Sequence, residues 1–495
     1  MMHPALYEAA VLALMGVSGV SVGLLLGVRK WIPLAAMALA GATLIRTWSA
    51  FAVWSLGQPD WLFESWLVVS AAAVLGAAAT RWRQWRPALF AVASLGVAST
   101  LALATKYIFD IGERHHSDTS NVLALAVVAM QGEISDLSPL ADSFKRGISY
   151  PLMLSLGPEG RILGAFTPLV FLSLLASALW ISWRLLSGSV SRRVFVISAT
   201  VIGVFSVSVP IFRVAMFYLN GHTLMAYALV LVVGGVVLAS RNESFTPSPA
   251  ALVLLGGSLG MTSRIEGVVL VGLALLLLAS QRWWSLTVDR FRFGLTIGLI
   301  GLSLTWWLTS LDSPVLEEFG LSATWLLGAS LLGGGIAASP WIDPIRRWLY
   351  PAGGLVILAY LGYVIWSSGN PLALILAQWP NLGLGQGGWG TAALVFGGSV
   401  LLLGWRARPQ IYRTLIVLVA LLIAGILFSK TFDGGFGRPG FYDSVNRMWL
   451  HVMPVVIVAS LVGYADMLQK VLSGRSPSHP ATEPQTRSAD MTAQQ

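Results

Sequence analysis

Four short polar segments in an otherwise apolar chain hold the residue types that chemistry needs. The first, FDIGERHHSDTSNVLALA, opens a polar island that runs from Phe109 to Arg161. Ser117 and Asp118 precede an apolar run, Asn121 to Met130, and either suits the N-cap of a short helix. About ten residues are too few to cross a bilayer, so this helix is expected in the interface plane with Asp118 above the membrane. A carboxylate there has two chemical uses: general base toward an acceptor hydroxyl, or ligand to a divalent cation such as Mg or Mn. Its plain use is to cap the helix. His115 and His116 are candidate ligands or headgroup contacts, and a solvated pair is the simpler alternative. Asp110 and Glu113 are further carboxylates in the same segment.

The other three segments are rich in cations. In Met261-Thr-Ser-Arg-Ile-Glu-Gly267, Arg264 and Glu266 interrupt two short apolar runs. Ionisable residues at such a depth are costly and mark function by default. Arg264 could hold a phosphate, or pair with Glu266 to close a helix break. Arg213 and His222 flank a tight turn containing Asn220 and Gly221. They could face a polar cavity, or the arginine could simply snorkel. In Asp443-Ser-Val-Asn-Arg-Met-Trp-Leu-His-Val-Met-Pro454, Asn446 and Arg447 open a span. Arg447 and His451 are four residues apart and share a helix face. Two such side chains at a helix N-terminus suit an anion, because the dipole and free N–H groups add to them.

The elements that must position these residues are membrane spans. Of the 495 residues 56% are hydrophobic and 11% charged, against about 25% charged in a soluble domain. Apolar runs of about 20 residues recur along the chain, which predicts an all-α polytopic protein and not a barrel of short alternating strands. The spans are expected near 7–28, 31–55, 61–80, 87–108, 162–183, 194–214, 222–240, 248–263, 265–281, 293–311, 321–339, 348–367, 389–405, 412–429 and 447–467. That is about 15 (13–15) transmembrane helices, followed by a polar, disordered cytoplasmic tail at 468–495. The N-terminal MMHPALYE lacks a basic n-region, so the first run is expected to be a retained helix.

Charge predicts the orientation. With the N-terminus outside, 20 of the 31 Lys and Arg residues fall on one face, from Arg29 and Lys30 onward, and 16 of the 22 acids fall on or near the other. The basic face is then cytoplasmic, and the island, with 7 of the 22 acids and 2 of the 6 histidines, is extracytoplasmic. The net charge of +9 is spread between spans, so it sets topology and does not point to nucleic acid. With no cysteine, thiolate chemistry and Cys-ligated metals are excluded.

Taken together and in this order, the segments resemble the GT-C superfamily of integral-membrane glycosyltransferases, which includes protein O-mannosyltransferases and the aminoarabinose transferase of lipid A. SDTSNVLALA is similar to the family's acidic residue before an Ala-rich loop helix. RGISYPLML resembles the return of that loop to the membrane. TSRIEGVVLVGLALLLL is similar to a T-R-P-E-G-aliphatic segment, with Ile265 in place of Pro. DSVNRMWLHVMP resembles an N-R…H-x-x-P segment near the end of the bundle. Thr119 follows the loop acid where a second acid would complete a pair, and three spans precede the one leading into the loop.

The resemblance implies a GT-C-like bundle over residues 87–467, with residues 1–86 as extra N-terminal helices, in a bacterial plasma membrane. It implies a polyprenyl-phosphate sugar donor and a glycan, lipid or protein acceptor. Asp118 matches the loop acid, and Arg264, Arg447 and His451 match positions that hold the donor phosphate. The alternatives are a lipid-linked glycan ligase or polymerase, and a transporter or lipid flippase. A transporter would show related halves and helices broken at mid-membrane, and no repeat is visible in this chain.

Overall fold

A computed structural model describes residues 3–56, 58–109, 122–124, 126–127, 147–157, 162–212, 221–242, 246–264, 266–279, 379–405, 414–423 and 444–474, with a few isolated positions between 301 and 359. Every regular element among them is helical. In chain order these are α1 (Pro4–Leu25), α2 (Trp31–Ser55), α3 (Leu62–Arg81), α4 (Trp85–Phe109), the short α5 (Ser149–Leu154), α6 (Phe166–Leu186), α7 (Arg192–Ser208), α8 (His222–Asn242), α9 (Pro247–Ser263), α10 (Glu266–Ala279), α11 (Ala392–Trp405), α12 (Thr414–Ile423) and α13 (Ser444–Leu472). Among the described residues six stretches are long and apolar enough to cross a membrane: Pro4–Leu25, Trp31–Ala50, Leu62–Phe109, Phe166–Leu186, His222–Asn242 and Arg447–Leu472. Helices of 17 and 14 residues follow α8, where two short spans were expected over 248–281, and neither is among the six.

The local signals explain where helices begin. Pro4 occupies the first turn of α1, and the His3 ring accepts the Ala5 N–H at 3.3 Å. Ser191 caps α7 by accepting the Val194 N–H at 3.4 Å. Pro247 opens α9 behind Thr246. Many Thr and Ser inside the helices return their hydroxyls to carbonyls one turn back, as Thr43 does to Leu39 and Ser240 to Val236. This satisfies them where no water can.

The bundle is centred on α8, which is buried along its full apolar length and packs on α6, α9, α10 and α13. A helix apolar on every side belongs in such a position. The α3–α4 pair lies at the periphery, with Leu75, Phe90, Val97 and Leu101 among its exposed side chains. In a bilayer these contact lipid.

Helix α2 ties the N-terminal helices to the centre, packing on α1, α3 and α4 and also on α5, α6 and α9. Its Ala36 carbonyl accepts from both Tyr227 at 2.5 Å and Ser177 at 3.2 Å. Small residues let backbones approach, since lipid supplies no hydrophobic force between helices. A methyl group on Gly267 of α10 would overlap the Gly260 carbonyl of α9.

Two buried charges anchor the helix ends. Glu8 of α1 pairs with Lys106 of α4. Arg46 of α2 donates to the Leu62 carbonyl at 2.6 Å, the Ser155 hydroxyl at 3.1 Å and the Leu152 carbonyl at 3.4 Å.

Candidate functional site

Four of the candidate side chains come together at one end of the bundle. Helix α9 stops at Arg264, whose backbone is extended (φ −161°, ψ 153°), and α10 begins two residues later at Glu266. The Gly267 N–H closes the break by donating to the Arg264 carbonyl at 3.0 Å. Across it, Arg264 Nε donates to Glu266 Oε2 at 3.0 Å and a terminal nitrogen donates to Oε1 at 3.1 Å. The geometry is the two-pronged guanidinium–carboxylate fit, and both side chains are buried. Glu266 also lies in the first turn of α10, where the helix dipole favours an anion.

His222 begins α8, and His451 lies in the second turn of α13. The two helices pack together, and the rings meet edge to edge with centroids 4.8 Å apart and planes at 27°. His222 Nδ1 is 2.7 Å from His451 Nε2. His451 is wholly buried, and its Nδ1 has no hydrogen-bond partner among the described residues. The Arg264 guanidinium is within electrostatic reach of this ring. Arg447, one turn earlier on α13, is half-buried. Asn446 is in the same helix, and its backbone alone is described.

A chain of hydroxyls braces the cluster from below. Thr47 of α2 lies 3.0 Å from the Ser149 hydroxyl of α5, which donates to Thr262 of α9 at 2.7 Å. Thr262 in turn donates to the Ser258 carbonyl at 2.9 Å. Just before Ser149, the Ile148 N–H donates to the Thr262 carbonyl at 3.0 Å. Gly147 is left-handed (φ 64°), and a methyl group there would overlap the Ser263 carbonyl. Only glycine fits that conformation and that approach at once. The residues that end the polar island are therefore seated on the last turn of α9, immediately before Arg264.

The RGISYPLML segment, expected to return the chain to the membrane, forms α5, which is buried throughout. Tyr150 lies 2.5 Å from the Thr167 hydroxyl, and burial pushes its phenol well above the usual value, so it stays neutral.

Asp118, Asp110, Glu113, His115, His116 and Arg213 lie outside the described residues. Residues 122–124 and 126–127, from the run expected to form a short helix, are helical with Val122 and Ala126 buried. Among the described residues no group of three or more His, Cys, Asp or Glu side chains could hold a metal ion.

Reading the sequence missed Arg46, Thr47, Ser149 and Thr262. The missed signal for Arg46 was plain: one arginine inside the apolar run 31–55. The hydroxyls carry no such signal, because Ser and Thr satisfy themselves in any helix.

The class defined by fold and site is thus an all-α protein with several helices able to span a membrane and a buried His–His and Arg–Glu cluster at one end of them. No protein-family model, curated protein or solved structure matches the chain.

Proposed function

We propose that this chain is a membrane glycosyltransferase that moves a sugar from a polyprenyl-phosphate donor to an acceptor hydroxyl on the extracytoplasmic face. The observation that carries this reading is the buried cluster itself. Arg264, held in place by Glu266, lies within electrostatic reach of a buried histidine whose second nitrogen has no partner among the described residues. Such a cluster of N–H donors in a low-dielectric site suits a phosphate monoester or diester. The distribution of charge supports the orientation. Arg29, Lys30, Arg81, Arg184 and Arg241 lie at the helix ends opposite the cluster, which is the cytoplasmic side by the positive-inside rule.

In this reading the acceptor oxygen attacks the anomeric carbon as the carbon–oxygen bond to phosphate breaks. The electron pair leaves with the phosphate, and the acceptor proton passes to Asp118. A single displacement inverts configuration. Arg264, Arg447 and His451 stabilise the charge that grows on the departing phosphate, a contribution of about 3 kcal/mol per well-placed donor. A divalent cation held with Asp118 would assist the same charge.

The test is transfer in proteoliposomes from a polyprenyl-phosphate sugar. Asp118→Asn should lower turnover at least about 100-fold, within the usual range for a general base, with donor binding unchanged. Arg264→Gln should weaken donor binding. Near-normal turnover in Asp118→Asn would remove the base from the mechanism, as a ligase or polymerase without a loop acid would require.

A further inference from the structure

The His222–His451 contact joins residues 229 apart in the chain, and at 2.7 Å between nitrogens one must donate and the other accept. A neutral imidazole has one N–H, so the direction of this bond decides what His451 offers on its other side. If His222 donates, the His451 proton is on Nδ1. In the reverse direction, Nδ1 is a bare lone pair. That atom is buried and has no partner among the described residues, and such an atom calls for a partner from outside them. Its surroundings favour the first direction. The Arg264 guanidinium acts on the ring through space, and Arg447 is one turn away on the same helix. An anion drawn in by these cations calls for a donor on the histidine.

We propose that His222 is a positioning residue: it donates Nδ1–H to His451 Nε2, holds His451 in the Nδ1–H tautomer, and so aims a buried N–H at a phosphate oxygen beside Arg264. The inference rests on the phosphate-binding part of the reading above and not on sugar transfer. His222 itself need never touch the ligand. Its role is to remove the tautomer that would present a lone pair to an anion, as partners of metal-bound histidines do for their ligands.

The experiment uses the full chain in nanodiscs, labelled with ¹⁵N-histidine, and farnesyl phosphate as the probe. The His451 resonances are assigned by their loss in His451→Gln. The expected result is a neutral His451 protonated on Nδ1, with that resonance shifting when farnesyl phosphate is added. His222→Asn keeps an N–H close to the original Nδ1 and should bind within about twofold of the unaltered chain. His222→Leu should bind about tenfold more weakly, the range of one lost hydrogen bond to a charged group.

A His451 protonated on Nε2 would overturn the inference and make Nδ1 an acceptor for a hydroxyl. Unchanged binding in His222→Leu would overturn it as well. The tautomer is read in the unaltered chain, so the test survives a His222→Leu variant that does not fold. An unaltered chain that ignores farnesyl phosphate would overturn both the inference and the phosphate reading. Binding with the expected tautomer but without sugar transfer would uphold the inference and remove only the transferase reading.

Discussion

At the residue scale, the Arg264–Glu266 pair was legible because two opposite charges stand two residues apart between apolar runs, and the structure shows that they pair. The carboxylate pairs with the arginine and also fixes where the guanidinium points. Removing one partner strands the other in a buried site, which costs about 3–5 kcal/mol, whereas replacing both with apolar residues is often neutral. Arg264→Met and Glu266→Met should each lower stability by about that amount, measured by SDS titration of the folded protein. The double variant should recover most of the loss. Additive losses would mean that the two side chains do not act as a pair. The His222–His451 contact, by contrast, was not legible as a pair. Each histidine was visible at the start of its own span, but nothing local to either states that two helices so far apart in sequence begin at the same place.

At the element scale, apolar length was the legible signal for the six described stretches able to span, because a bilayer demands about 20 apolar residues of any helix that crosses it. The seat of the island's end was hidden. Gly147 resembles any loop glycine in the sequence, and its requirement comes from the backbone of α9 lying against it. Gly147→Ala should destabilise by more than the roughly 1 kcal/mol of the left-handed conformation alone, since the added methyl also meets the Ser263 carbonyl. Gly267→Ala should likewise force α9 and α10 apart. Gly96 of α4 has nothing within 4 Å of the same position. Gly96→Ala should therefore be neutral or stabilising by up to about 1 kcal/mol through helix propensity. Thermal unfolding of the three variants in one detergent checks the ranking, and equal losses at all three positions would contradict the close approaches.

At the scale of the whole molecule, the absence of cysteine makes topology directly measurable, since any thiol introduced is the only one present. Arg83→Cys, between α3 and α4, and Ser189→Cys, between α6 and α7, lie at the basic end of the bundle. Asp60→Cys, between α2 and α3, lies at the end that holds the histidines. In sealed vesicles of known orientation, a membrane-impermeant maleimide should reach Asp60→Cys from the extracytoplasmic side and the other two from the cytoplasmic side. The reverse pattern would place the cluster inside the cell and rule out an extracytoplasmic donor site. Composition and charge marked which helices are apolar enough to span and which of their ends carry the basic residues. They did not reveal that α2 is packed into the centre, because an apolar span reads the same whether it faces lipid or protein.

The contact between Gly147–Ile148 and the last turn of α9 also carries a thermodynamic obligation. Linkage between two sites is reciprocal. Suppose a bound molecule grips Arg264 more tightly when the chain at Ile148 is seated on Thr262. The same molecule must then tighten that seat by an equal free energy. The Ile148 amide hydrogen, which donates to the Thr262 carbonyl, becomes a gauge of occupancy at a place the ligand never touches. The slowing of its exchange with solvent measures how strongly the polar island and the buried cluster act as one unit.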